Sequence, residues 1–328
     1  MRTESTPATA KRKRDTSPCR WVILDENVGV GAQGVVSKVA RRDNVQDVYA
    51  LKRFATPRCR QHEESVLKEV NEQGGHDHIV KPVSYIESGI VFPFYSGGDL
   101  FDYVTKAGGV LSEHEVAELM TKIASAVSHL HDKNIAHMDI KPENMLIDSK
   151  KQPILCDFGL SYRIPSHGKS YIASGSPQYA APEMFLEPWF HCRAADVWSI
   201  GICAFALCAG RFPASKAVAD EICANVKDGS ILAFRQQRTF FSTEFLAVLD
   251  RCLQIKPEKR PCAKELCQLW TRFLDSSSMP VSDPTTAVPE ADSTSAPVSD
   301  PATGATDSKE ADASAAAERP PPSCPQSE

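Results

Sequence analysis

His137-Met138-Asp139-Ile140-Lys141-Pro142-Glu143-Asn144, followed by Asp157-Phe158-Gly159, is the stretch that decides how this chain reads. It sets one candidate base, one cation and two candidate magnesium ligands close together. A carboxylate at Asp139 can accept the proton of an attacking hydroxyl. Lys141 can hold an anionic group in transit, and Asn144 and Asp157 can ligate Mg²⁺ through oxygen. That combination suits phosphoryl transfer, where catalysis is mostly positioning and charge neutralisation.

Upstream, Val28-Gly29-Val30-Gly31-Ala32-Gln33-Gly34-Val35-Val36 has the form G-x-G-x-x-G-x-V. Glycines also cluster in ordinary turns, and a dinucleotide-binding turn would need a helix opening at the loop. Here Val35, Val36 and Val39 continue as a strand, and Val48-Tyr49-Ala50-Leu51-Lys52 forms another. Strand, glycine turn, strand is a hairpin able to fold over phosphates, because glycine lets the backbone come close. Lys52 closes that run and needs a carboxylate on the next helix. Glu63 precedes Val66, Leu67 and Val70, whose spacing gives one apolar helical face; Glu69 is the alternative partner.

Downstream stand Ser174-Gly175-Ser176-Pro177-Gln178-Tyr179-Ala180-Ala181-Pro182-Glu183, then Asp196-Val197-Trp198-Ser199-Ile200-Gly201, then Arg260 in Lys256-Pro257-Glu258-Lys259-Arg260-Pro261. With the glycine turn, Lys52, the Asp139 loop and Asp157, this ordered set resembles eukaryotic-type protein kinases, from Gly29 to Arg260. The resemblance implies an α+β, bilobal fold: a small antiparallel sheet lobe with one helix, about 21–94, and a larger, mainly helical lobe, about 99–273. It implies ATP and Mg²⁺ as cofactors, with Asp139, Lys141, Asn144, Lys52 and Glu63 as the catalytic set and Asn144 and Asp157 on the metal. Val28, Gly29, Gly31 and Gly34 would cover the nucleotide. Val36, Ala50 and Leu146 would sandwich the adenine, with Phe92 behind it. The Pro93 carbonyl would accept from the base, the Tyr95 N–H would donate to it, and Asp99 would bond the ribose. Glu183 and Arg260 are expected to pair as a structural anchor.

Lys141 and Ser176 follow the serine/threonine pattern of that family. Met138 departs from it, standing where most members carry an arginine that grips a phosphate on the activation loop. Ile172 occupies the usual phosphate position and has no hydroxyl, so the loop from Asp157 to Glu183 is expected to order without phosphorylation. Glu143 suggests at most a modest preference for basic substrates, since Ala206 replaces the second carboxylate, and is otherwise an ordinary loop residue. Ala173 and Ala180 suggest room after the phosphoacceptor. Cys156, next to Asp157, is either inert packing or a thiol activated by the nearby lysine and Mg²⁺. The Lys52–Glu63 interval is short for the family and resembles that of herpesviral kinases.

Composition agrees. The chain has 328 residues, 42% hydrophobic and 24% charged, so it can bury a large core. A net charge of -5 points to no polyanion partner, and no nucleic-acid partner is expected. The 11 cysteines are scattered without metal-ligand spacing, which suits a reducing, intracellular setting, cytoplasmic or nuclear and within a host cell if the chain is viral. The apolar run Val197–Ala209 is shorter than the ~20 residues of a membrane span and reads as a buried helix, so no membrane partner is expected. No signal peptide is read in the N-terminal stretch. Residues 1–20 read as a disordered tail whose Lys11-Arg12-Lys13-Arg14 is either a nuclear localisation signal or a solvated charge run. Residues 21–274 form the domain, expected as a monomer acting on proteins with serine or threonine acceptors. Residues 275–328, rich in Ser, Pro, Ala and Asp, read as disordered, with Pro280-Val281-Ser282-Asp283-Pro284 repeated at Pro297–Pro301. A pseudokinase scaffold acting through its tails is the alternative; that class usually lacks the lysine, the base or the metal aspartate. A small-molecule kinase would generally lack Glu183, Asp196 and Arg260 in these contexts.

Overall fold

Five strands alternate their side chains between two faces of one antiparallel sheet: β1 (Trp21–Gly31), β2 (Gly34–Arg41), β3 (Asn44–Phe54), β4 (Ser84–Ile86) and β5 (Gly89–Pro93), ordered β1-β2-β3-β5-β4. The structure, a computed structural model, describes residues 20–171, 174–215, 221, 225, 229–234 and 240–277. Lys11–Arg14, both copies of the tail repeat, Ile172 and Ala173 lie outside the described residues. Trp21, Val39, Leu51 and Val91 form a small core on one face of the sheet, with Trp21 edge-on to Tyr49 at 5.0 Å. By the two-residue period, Ala50, Lys52, Ile90 and Phe92 point the other way. There Ala50, Ile90 and Phe92 join the main core.

Helix α1 (Pro57–Asn71) starts where Thr56 accepts from the Cys59 N–H, 3.2 Å away, with Pro57 in the first turn where no N–H is needed. Val66, Leu67 and Val70 turn one stripe inward, and Glu63 lies on the same buried face. The larger lobe holds α2 (Leu100–Lys106) and α3 (Glu113–Asp132), the latter opened by a reciprocal cap between Ser112 and Glu115. Short strands follow: β6 (Ile135–Ala136), β7 (Met145–Ile147), β8 (Pro153–Leu155), β9 (Tyr162–Arg163) and β10 (Lys169–Ser170). Then come α4 (Glu183–Leu186), β11 (Phe190–His191), α5 (Cys192–Ala209), α6 (Thr243–Cys252) and α7 (Ala263–Ser277). Helix α5 has the length and apolarity to cross a membrane, yet 72% of it is buried inside the lobe. Helix α7 carries on past the expected domain end at 274, with Phe273 buried and Leu274 packed on the core.

The lobes meet through the loop after α1. Val80 N–H donates to the Leu155 carbonyl and Leu155 N–H to the His78 carbonyl, at 3.0 and 2.9 Å. His129 Nε2 on α3 donates to the Val70 carbonyl, while His76 Nε2 meets Ser125 Oγ at 3.0 Å. His76 Nδ1 accepts from the His78 N–H, which requires a neutral ring. Burial, reinforced by His129 and His78, holds His76 below its ordinary 6.5. An imidazole depressed in the folded state stabilises the fold above that value and loses the contribution as pH falls below it. Melting temperature is therefore expected to drop on acidification below about 6.5, and less steeply in His76→Gln; equal slopes would remove this joint as an acid-sensitive element.

Glu183, at the head of α4, and Arg260 form a two-pronged pair at 2.6 and 2.8 Å. Arg260, whose side chain is 0% exposed, also donates to the carbonyls of Gln254, Ala194 and Ile255 and lies over the Trp198 ring. Removing one member of such a pair strands the other charge. Arg260→Ala is expected to cost about 3–5 kcal/mol in urea denaturation; a loss below 1 kcal/mol would place the anchor elsewhere.

Candidate active site

Strand β6 leads into the 137–144 loop and β7 leads out, so its ends are fixed by pairing with β9 and β8. The loop between is held from below by one carboxylate. Asp196, 1% exposed in α5, accepts from the His137 N–H, the Met138 N–H and His131 Nε2, each at 2.9 Å. Three donors on a buried carboxylate repay its desolvation and hold Met138 in the left-handed region at φ 67°. His137 Nδ1 accepts from the Asp139 N–H, so Nε2 carries the proton and donates to the Cys156 carbonyl at 3.0 Å. Its ring stands edge-on to the buried Phe158, 5.1 Å away.

That frame delivers Asp139. Its Oδ2 meets Lys141 Nζ at 3.0 Å and Asn144 Nδ2 at 2.9 Å. Its Oδ1 accepts from both the backbone N–H and the hydroxyl of Ser176, each at 3.0 Å. Lys141 Nζ also donates to Ser176 Oγ at 2.8 Å, closing a triangle. Gly175 makes this approach possible: its φ is 98°, and a Cβ there would stand 2.3 Å from the Met138 carbonyl oxygen. Asn144 directs its amide nitrogen at Asp139, which turns its oxygen away and leaves it as the atom to face a cation.

Across the cleft, Lys52 lies between two carboxylates, 2.6 Å from Glu63 Oε2 and 2.8 Å from Asp157 Oδ1. Burial alone would lower the lysine's pKa, but the two negative charges outweigh it and leave it raised. Burial pushes Glu63 up to about 7, with Lys52 pulling the other way. Asp157 is also desolvated, yet Lys52 holds it below its ordinary value. Glu69, the alternative partner for Lys52, instead bonds Arg163 of β9 at 2.7 and 3.0 Å. The Asp157 backbone is left-handed, φ 59°.

The residues expected around a nucleotide gather along the same cleft. Gly29 and Gly31 of β1 pair with Val36 and Gly34 of β2, and Val28 is exposed at the rim. Ala50 pairs with Phe92 and Tyr49 with Pro93 at the joint, while Asp99 bridges to Leu146 opposite. Tyr95 packs against the main core. Asp99 Oδ1 caps α2 by accepting from the Asp102 N–H at 2.8 Å, and burial raises its pKa. A triphosphate with Mg²⁺ fits the chemistry of this set: Lys52 would supply a cation, and Asp157 and Asn144 would supply oxygens to the metal.

Sequence reasoning missed three contacts to this site. Gln33 reaches across to Gly159, His62 Nε2 donates to the Ser161 carbonyl at 2.9 Å, and Arg163 ties β9 to α1. None has a local periodicity to announce it. Of the two readings of Cys156, inert packing is the one its surroundings favour. Burial raises its pKa well above the ordinary value, and Asp157 raises it further against a smaller pull from Lys52.

Residues 22–270 match the protein kinase domain family. The chain belongs to that family. Its members generally use ATP and Mg²⁺. A yeast (Saccharomyces cerevisiae) protein named "Probable serine/threonine-protein kinase HSL1" is 34% identical over 178 residues, 54% of this chain and 11% of that protein. The human serine/threonine-protein kinase ULK3 is 29% identical over 247 residues, 73% of this chain and 52% of that protein. The chain thus spans about a tenth and about half of these two relatives. The bridging position of Lys52 is itself testable. Lys52→Met leaves Glu63 and Asp157 facing each other and is expected to lower nucleotide-dependent phosphoryl transfer on the order of 100-fold. Glu63→Gln, which keeps a hydrogen bond, should lose less; equal losses would deny Glu63 its orienting part.

Proposed function

We propose that the chain is a serine/threonine protein kinase, transferring the γ-phosphoryl group of ATP to alcohol side chains of protein substrates. The observation that carries this reading is the Asp139–Lys141–Ser176 triangle: a carboxylate, a cation and a serine hydroxyl within 3.0 Å of one another. A substrate hydroxyl taking the approach that Ser176 Oγ makes would lose its proton to Asp139 as its oxygen attacks phosphorus. Lys141 would follow the charge on the transferring group, and Asn144 fixes the Asp139 carboxylate by bonding both its Oδ2 and its backbone carbonyl. Bound ATP would supply the phosphoryl group, and Mg²⁺, held by Asp157 and Asn144, would neutralise charge on its oxygens. Lys52, oriented by Glu63, would hold the remaining phosphates.

Competence without phosphorylation of the 157–183 segment belongs to the same reading. Met138 is buried and carries no charge with which to grip a phosphate. In its place, Lys52, His62 and Glu69 already fasten the segment's start to the sheet and α1. Glu143 is exposed beside the base and supports a modest preference for basic substrates.

The test is γ-phosphate transfer with Mg²⁺ to a mixed peptide library, followed by identification of the modified residues. Phosphoserine and phosphothreonine are expected from the wild-type protein, with Asp139→Asn reducing the rate by on the order of 100-fold or more. Nucleotide affinity should be retained in that variant. Transfer that survives the substitution would remove Asp139 as the base.

A further inference from the structure

The segment 157–183 is fastened at both ends by charges. Asp157 meets Lys52 and Arg163 meets Glu69 at the start; Ser176 meets Asp139 and Glu183 meets Arg260 at the end. Between these points the Ile164 N–H donates to the Asn134 carbonyl at 2.8 Å, and beyond it the described strand pairing is that of β10, with Lys169 opposite His191 and Ser170 opposite Phe190 on β11. A pair of strands that short does not persist by its own hydrogen bonds.

Trp189, immediately before β11, supplies the missing hold. Its ring meets Tyr171 edge-on, with centroids 5.2 Å apart and planes at 78°. It also meets His167 edge-on, at 6.0 Å and 89°. His167 precedes β10 and Tyr171 follows it, so one indole touches both flanks of the strand. Trp189 is 50% exposed and Tyr171 65% exposed, so these rings are only partly buried. Edge-on geometry satisfies the ring quadrupoles. Phe190 and Ser170, by contrast, are buried beneath, which sets the strand pair on the lobe while Trp189 remains outside.

We propose that Trp189 is a positioning residue: its indole clasps β10 from both sides and holds the segment in the path that carries Ser176 to Asp139. The clasp stands in an enzyme whose catalytic loop offers methionine, not a cation, beneath the segment. Its consequence for peptide binding rests on the phosphoryl-transfer reading; its consequence for segment order rests on the contacts alone.

The experiment compares full-length wild type, Trp189→Ala, Trp189→Phe and Tyr171→Ala. Amide exchange over 165–171, melting temperature and KM for peptide and for ATP are measured on each. In Trp189→Ala, exchange in the segment and KM for peptide should each rise about tenfold, the scale of one lost aromatic contact. KM for ATP and melting temperature should stay unchanged, and Trp189→Phe should restore most of the loss. Tyr171→Ala removes the partner ring and should give the same pattern, which decides the matter if Trp189→Ala does not fold. Unchanged exchange in these variants, or an equal loss for peptide and ATP together with a lower melting temperature, would overturn the clasp. A wild-type protein that transfers no phosphate would instead overturn the phosphoryl-transfer reading, while the exchange rates still judge the clasp.

Discussion

One buried carboxylate, Asp196, is the constraint on which the site depends. A charge at 1% exposure survives only with full compensation, and it receives two backbone N–H groups and an imidazole. The two backbone donors come from the turn at His137 and Met138 and the imidazole from His131 on α3, so burying the charge and shaping the loop are the same event. The left-handed Met138 backbone is the cost of that turn, and the hydrogen bonds to Asp196 keep it in place. Helix α5 is correspondingly apolar along most of its length, because it must carry Asp196 into the centre of the lobe.

From that fixed loop the rest of the cleft is assembled by contacts that cross between lobes. Lys52 on β3 reaches Asp157 after β8, and Glu63 on α1 reaches Lys52, so sheet, helix and loop share one cation. His62 and Glu69 add further ties from α1 to the residues after Asp157. The loop after α1 then clamps to β8 and α3 through His76, His78 and His129. A helix held at this many points keeps Glu63 on Lys52.

Much of this was legible in the sequence, and for a physical reason. Phosphoryl transfer needs a base, a cation and metal oxygens at short fixed spacings, so 137–144 and 157–159 stand out in one dimension. The glycine turn and the Val66, Leu67 and Val70 stripe follow from backbone geometry that repeats along the chain. Arg163 with Glu69, and Trp189 with Tyr171 and His167, were not legible, because such contacts join exposed residues far apart in sequence without any period. For Cys156 the sequence leaves inert packing and an activated thiol both open, since desolvation, which favours the first, is not displayed there. The extension of α7 to Ser277 escaped notice because the polar Asp275–Ser277 stretch reads like the tail that follows.

The central claim is that the unphosphorylated chain already holds a transfer-competent site. The most direct test is the time course of phosphoryl transfer by phosphatase-treated, full-length protein, with the phosphatase removed and phosphorylation of the protein itself followed by mass spectrometry. The account predicts turnover from the first time points, without a lag, while the 157–183 segment carries no phosphate. A lag that ends only as phosphate accumulates on that segment, or turnover abolished by the treatment, would contradict it.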